Sequence, residues 1–124
     1  MSEKNYLYLG LTTSLISILS FLKYYTLSGL NLISSSKAKE LIKKGAIVID
    51  VRTKTEWNIG HYKKALHIPV SEINEKNLSK LNKNKTIVVY CNTGQRARKA
   101  SEEIKKLGFN KVFYIEGTYK SLLF

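Results

Sequence analysis

Two runs of mostly β-branched residues limit most strongly how this chain can fold. Ala46-Ile47-Val48-Ile49-Asp50-Val51 and Thr86-Ile87-Val88-Val89-Tyr90 are near-continuous apolar stretches, not alternating ones. A strand with one wet face alternates, whereas a run that is apolar throughout belongs to a strand covered on both faces, as in a parallel sheet flanked by helices. Around these runs the chain reads as helices and shorter strands. Ser34-Ser35-Ser36 offers N-cap oxygens for a helix from Lys37 to Lys44, with Glu40 near capping-box spacing and Gly45 placed to end it. A weak helix is expected through Glu72 to Leu81, and a stronger one from about Arg96 to Leu107 with Gly108 after it. Leu30 to Ile33, Ala65 to Ile68 (followed by Pro69) and Lys111 to Ile115 supply three further strands. Strands separated by helical stretches predict an α/β fold with parallel crossovers. In such sheets the ligand site lies beyond the carboxyl ends of the strands.

The 124 residues suffice for one compact domain, at 30–124, plus an appended segment, 1–29. A single cysteine excludes a disulfide framework and every multi-cysteine zinc or iron–sulfur motif; with only two histidines besides, neither metal nor cofactor is expected. The net charge is +12. Such a field favours anionic partners: nucleic acid, an acidic membrane leaflet or a small anionic substrate. General lysine enrichment is the bland alternative. The tyrosines are scattered, not interleaved with arginines as base-stacking platforms would be, so no nucleic acid partner is expected.

From Asn5 to Leu22 no residue is charged, and Leu, Ile, Phe and Tyr dominate. A helix of that length spans about 27 Å, near the hydrocarbon thickness of a bilayer. Tyr6 and Tyr8 at one end, and Phe21, Tyr24 and Tyr25 at the other, suit interfacial belts. Gly10, Thr13, Ser14, Ser17 and Ser20 form a small-residue stripe that suits helix packing in lipid and a homodimer. Residues 5–22 are therefore expected to form a transmembrane helix. Lys23, Lys37 and Lys39 outnumber Lys4 before it, so the domain of a single-pass protein would face the cytoplasm. The hydroxyl residues between positions 12 and 26 keep a second reading open, a helix packed on a soluble cytoplasmic domain. The first alanine is Ala38 and the first arginine Arg52, which disfavours a signal peptide and a mitochondrial presequence.

The segment Cys91-Asn92-Thr93-Gly94-Gln95-Arg96 begins where the second strong strand ends and finishes where a helix starts. Backbone N–H groups of a tight loop and a first helical turn converge there as an anion nest, which favours the thiolate, the nucleophilic form of cysteine. Gly94 lets the loop curl without a Cβ clash. The helix opens with Arg96, Arg98 and Lys99, while its acids, Glu102 and Glu103, come a turn later. Cations oppose the dipole at a helix N-terminus unless an anion binds there. Cys91 is thus the candidate nucleophile; the bland alternative is a small buried hydrophobe. As the only cysteine it has no resolving partner in the chain, so sulfur chemistry must pass between molecules or between two copies.

Asp50-Val51-Arg52, Glu56-Trp57, Gly60-His61, Ala65, His67-Ile68-Pro69, Tyr90-Cys91, Gly94 and Arg96-Ala97 together resemble the rhodanese family of sulfurtransferases. Gly108-Phe109, Val112 and Gly117 continue the likeness, which covers roughly positions 30–118. The resemblance implies a mostly parallel five-stranded sheet between helices. It also implies that Cys91 takes a sulfane sulfur as a persulfide from a thiosulfate-like anion or a protein persulfide, and passes it to a thiol or cyanide. Asn92, Thr93, Gly94, Gln95 and Arg96 would then bind the donor, with Arg96 orienting it. Asp50 would accept loop N–H bonds, and Arg52 and Glu56 are spaced for a local ion pair. His61 and His67 would be structural, and Trp57 core or rim. The loop is one residue shorter than that of the dual-specificity cell-cycle phosphatases of similar architecture, which disfavours phosphoryl chemistry. Where many members carry Gly-Gly, this chain has Gly117-Thr118; a short last helix is expected, or Leu122, Leu123 and Phe124 as apolar cover. The alternative function is a membrane-tethered binding or persulfide-relay module.

Overall fold

The computed structural model describes residues 12–22 and 31–124, and the chain falls into two units, 1–30 and 31–124. In the first unit residues 12–22 are helical (α1), with every side chain exposed. The span expected over 5–22 lies partly outside the described residues. Among the described residues no helix is long and apolar enough to cross a membrane. Thr12, Thr13, Ser14, Ser17 and Ser20 dilute the apolar surface of α1. The expected N-terminal membrane helix therefore has no support in the structure.

The second unit is an α/β sandwich. Its elements are α2 (Ser35–Lys43), β1 (Ile47–Asp50), α3 (Lys54–Ile59), β2 (Leu66–His67), α4 (Glu75–Leu78), β3 (Ile87–Tyr90), α5 (Gln95–Lys106) and β4 (Val112–Tyr114), with 3₁₀ turns at Val70–Glu72 and Tyr119–Leu122. The sheet order is β2-β1-β3-β4 and every pairing is parallel. The two β-branched runs are the central pair, in register from Ile47 opposite Ile87 to Asp50 opposite Tyr90. Among the described residues the sheet has four strands, where five were expected. The expected first strand is reduced to one bridge, Leu32 with Tyr114. Ile33 N–H still donates to the Tyr114 carbonyl at 2.9 Å. The chain then turns away because Ser34 caps α2, its Oγ accepting from the Lys37 amide at 3.1 Å. Glu40 closes no capping box; it pairs with Lys37 and Lys44 instead.

Strand alternation sorts the core into two faces. Ile49, Val51, Ile87, Val89 and Cys91 pack with Ala97, Ala100 and Ile104 of α5 and with Leu78 of α4. Val48, Val88 and Tyr90 pack with Ala38 of α2, Ile115 and Leu122. Val48, Ile49, Ile87, Val88 and Val89 are at most 3% exposed, each contributing about 1.5–3 kcal/mol through removal from water. Of the three C-terminal apolar residues only Leu122 serves as cover; Leu123 and Phe124 are exposed. The weak helix expected over 72–81 is a 3₁₀ turn followed by the short α4, capped by Asn74.

Candidate active site

The parallel register brings the carboxyl ends of β1 and β3 side by side, and a buried polar cluster ties them. Asp50 accepts from the Arg52 amide at 2.9 Å and from its guanidinium, Nη2 to Oδ2, at 2.8 Å. Tyr90 Oη donates to Asp50 Oδ2 at 2.6 Å and accepts from the Tyr62 amide at 3.0 Å. Burial, then the Asp50 hydrogen bond, pushes the Tyr90 hydroxyl well above the ordinary tyrosine range, so it remains a donor. Arg52 also donates to the Gly60 carbonyl at 2.6 Å. Asp50 does accept a loop N–H, as its position at a strand end suggests. The expected Arg52–Glu56 pair does not form, because Asp50, two residues before Arg52, takes the guanidinium.

Cys91 follows β3 directly and is 1% exposed. Its Sγ accepts from the Gly94 amide at 3.1 Å and from the Ala97 amide at 3.4 Å. A small buried hydrophobe needs no such donors; two convergent backbone N–H groups are the means of holding a sulfur anion. Gly94, the N-cap of α5, has φ +95°, and a Cβ there would lie 3.1 Å from the Glu116 Cα. Only glycine fits that turn, and the turn is what aims its N–H at the sulfur.

Glu56 is the residue that sequence reasoning did not place at the loop. A capping box fixes it: Thr53 Oγ1 accepts from the Glu56 amide at 3.3 Å, and Glu56 Oε1 accepts from the Thr53 amide at 3.1 Å. From there the carboxylate takes the Arg96 guanidinium in a fork, Nη1 to Oε1 at 2.6 Å and Nη2 to Oε2 at 2.9 Å. Asn92 Nδ2 also donates to Glu56 Oε2. The Arg96 bond, with help from Thr53, holds Glu56 far below the usual carboxylate range. Arg96 is correspondingly raised, chiefly by Glu56 and further by the Cys91 sulfur beside it. The Thr53-x-x-Glu56 spacing was the one signal available; it marks the start of α3 but not its reach to the loop.

Of the predicted site residues, Cys91, Asn92, Gly94 and Arg96 are thus joined in one network with Glu56, while Thr93 and Gln95 are exposed. Thr93, Gly94 and Gln95 border a pocket of about 140 Å³ with Arg98, Tyr114 and Glu116. A larger cavity, about 740 Å³, lies at the opposite ends of the strands near Gly45, Ala46 and Ile47. Lys43, Tyr62 and Lys64 are among its lining residues, and Cys91 is not. His61 and His67 bond the backbone carbonyls of Trp57 and Arg52, each at 2.8 Å, and stack on the Trp57 ring at 3.4 and 4.7 Å between centroids. These contacts tie both imidazoles to neighbouring backbone and to Trp57, which is half-buried.

A parallel α/β domain that seats one cysteine in a nest between strand and helix defines a class of cysteine-loop proteins. Within that class, residues 34–123 match the family model of the rhodanese-like domain, and the chain belongs to that family. The tRNA uridine(34) hydroxylase of Escherichia coli is 42% identical over 77 residues, which cover 58% of this chain and 22% of that protein. This chain therefore spans about a fifth of the length of that relative. Among solved structures, a rhodanese-related protein from Thermoplasma volcanium is 33% identical with a TM-score of 0.63, over 74% of this chain and 89% of that one. The human single-domain sulfurtransferase TSTD1 is 26% identical with a TM-score of 0.63, over 73% and 93%. A rhodanese from Escherichia coli solved with anions is 31% identical with a TM-score of 0.55, over 62% and 91%.

Proposed function

We propose that this chain is a sulfurtransferase that carries a sulfane sulfur on Cys91 as a persulfide. The observation that supports this best is the pair of N–H donors, Gly94 and Ala97, aimed at the Cys91 sulfur. The thiolate attacks the outer sulfur of a donor such as thiosulfate; the donor S–S bond breaks, sulfite departs with the electron pair, and Cys–S–S⁻ remains. A thiol or cyanide then attacks the terminal sulfur and returns the thiolate. The loop amides stabilise the anion in both states, with Asn92, Thr93, Gln95 and Arg96 at the rim where the donor arrives. Cys91 is the only cysteine, so the acceptor is a separate molecule or a second copy. No nucleic acid takes part in these steps, and the hydroxylation named for the Escherichia coli relative is not carried over to this chain.

Intact-mass measurement after thiosulfate treatment without reductant tests this. Wild type should gain one sulfur atom that cyanide removes, and Cys91→Ser should gain none. No gain with thiosulfate, a thiosulfonate or a protein persulfide would sink the proposal. A second reading, a relay that takes its sulfur from another protein's persulfide, draws support from the engagement of Arg96 by Glu56, which occupies the guanidinium that an anionic donor would use. Faster loading from a protein persulfide than from thiosulfate would favour it.

A further inference from the structure

The arginine that would seat an anionic donor is already holding an anion. Glu56 grips the Arg96 fork through both carboxylate oxygens, and other residues hold it there as well. The Thr53 amide and hydroxyl hold Oε1 at 3.1 and 3.0 Å, and Asn92 holds Oε2. A sulfonate group approaching the loop needs the same bidentate face of the guanidinium. It competes there with a tethered carboxylate whose effective concentration is that of an intramolecular partner. It also approaches that carboxylate's negative charge, and the repulsion scales with the donor's own charge.

We propose that Glu56 is a specificity-determining residue, whose carboxylate occupies the Arg96 fork and so selects singly charged sulfur donors over doubly charged ones. The proposal rests on the sulfurtransferase reading and says which donors that site takes. Persulfides carry no sulfonate to place on Arg96, and a thiosulfonate, with one negative charge, meets less of the Glu56 repulsion. Thiosulfate, with two, must displace Glu56.

The test uses the full chain, wild type and Glu56→Gln, with cyanide as acceptor and two donors of the same chemistry. Thiosulfate loses sulfite and carries two charges; methanethiosulfonate loses methanesulfinate and carries one. Gln preserves the capping box, so α3 keeps its start. The thiosulfate KM should fall about fivefold in Glu56→Gln, the scale of one partly exposed ion pair, while the methanethiosulfonate KM changes by less than about twofold. Asn92→Ala, which removes one of the two donors to Glu56 Oε2 and so loosens the hold on the carboxylate, should shift the ratio of the two KM values in the same direction. A rise in the thiosulfate KM in Glu56→Gln would overturn the proposal, since Glu56 would then be orienting Arg96 for the donor. Equal changes for both donors would overturn it as well. Failure of either donor to add sulfur to Cys91 in both proteins, read by mass, would remove the sulfurtransferase reading itself, a result distinct from equal KM values.

Discussion

At the scale of single residues, the site is held by backbone more than by side chains. The sulfur of Cys91 meets two amides, and both depend on the turn at Gly94. Gly94→Ala asks an L-residue to sit at φ +95° with its Cβ 3.1 Å from the Glu116 Cα, where backbone, not a flexible side chain, is the obstacle. A loss of about 1–2 kcal/mol in unfolding free energy is expected from that conformation alone. Relaxation of the strain would swing the residue 94 amide off the sulfur, so persulfide formation should slow as well. Urea unfolding and timed mass measurement would check the two effects. A variant as stable and as quickly loaded as wild type would show that neither the turn nor its N–H matters.

At the scale of elements, what was readable and what was not divide by whether the signal is local. Ile47–Asp50 and Ile87–Tyr90 were legible because β-branched runs covered on both faces have few other uses. The Cys91–Arg96 loop was legible because a nucleophile, a glycine and an arginine stand together between a strand and a helix. Helix α3, Lys54–Ile59, was not read: it is short, buries no residue fully, and therefore shows no apolar period. The fifth strand was over-read because Leu30 to Ile33 is apolar, yet the Ser34 cap draws the chain off into α2 after one bridge. The Glu56–Arg96 contact joins positions 40 apart and leaves no trace in spacing. Asp50 claiming Arg52 frees Glu56 for that contact, so one misassigned pair hid the other. Element α3 also yields a prediction. Thr53→Ala removes the N-cap and two of the bonds that fix Glu56, and should lower the unfolding free energy by about 1 kcal/mol. An unchanged urea midpoint would show that α3 is held by its flanks, not by its cap.

At the scale of the whole molecule, the net charge of +12 makes every retained acid count, because self-repulsion grows as carboxylates are neutralised. Glu56 is the acid whose loss should be seen most clearly, since it links the start of α3 to the first turn of α5. Its folded-state pKa lies well below the unfolded value of 4.5, so the folded state holds the proton less tightly than the unfolded one. The sign follows from linkage: the contribution of Glu56 is fully present above pH 4.5 and drains away as pH falls toward its folded-state value. Glu56→Gln has no such proton to take up. Wild type should therefore be the more stable of the two at neutral pH, by about 1 kcal/mol or less for a partly exposed pair. That margin should shrink steadily below pH 4.5. The other carboxylates titrate alike in both proteins and cancel in the difference, so paired urea unfolding curves isolate this one group. A margin that stays constant down to about pH 2 would mean that the link is not ionic, and the fork between Glu56 and Arg96 would lose its claim to join the two helices.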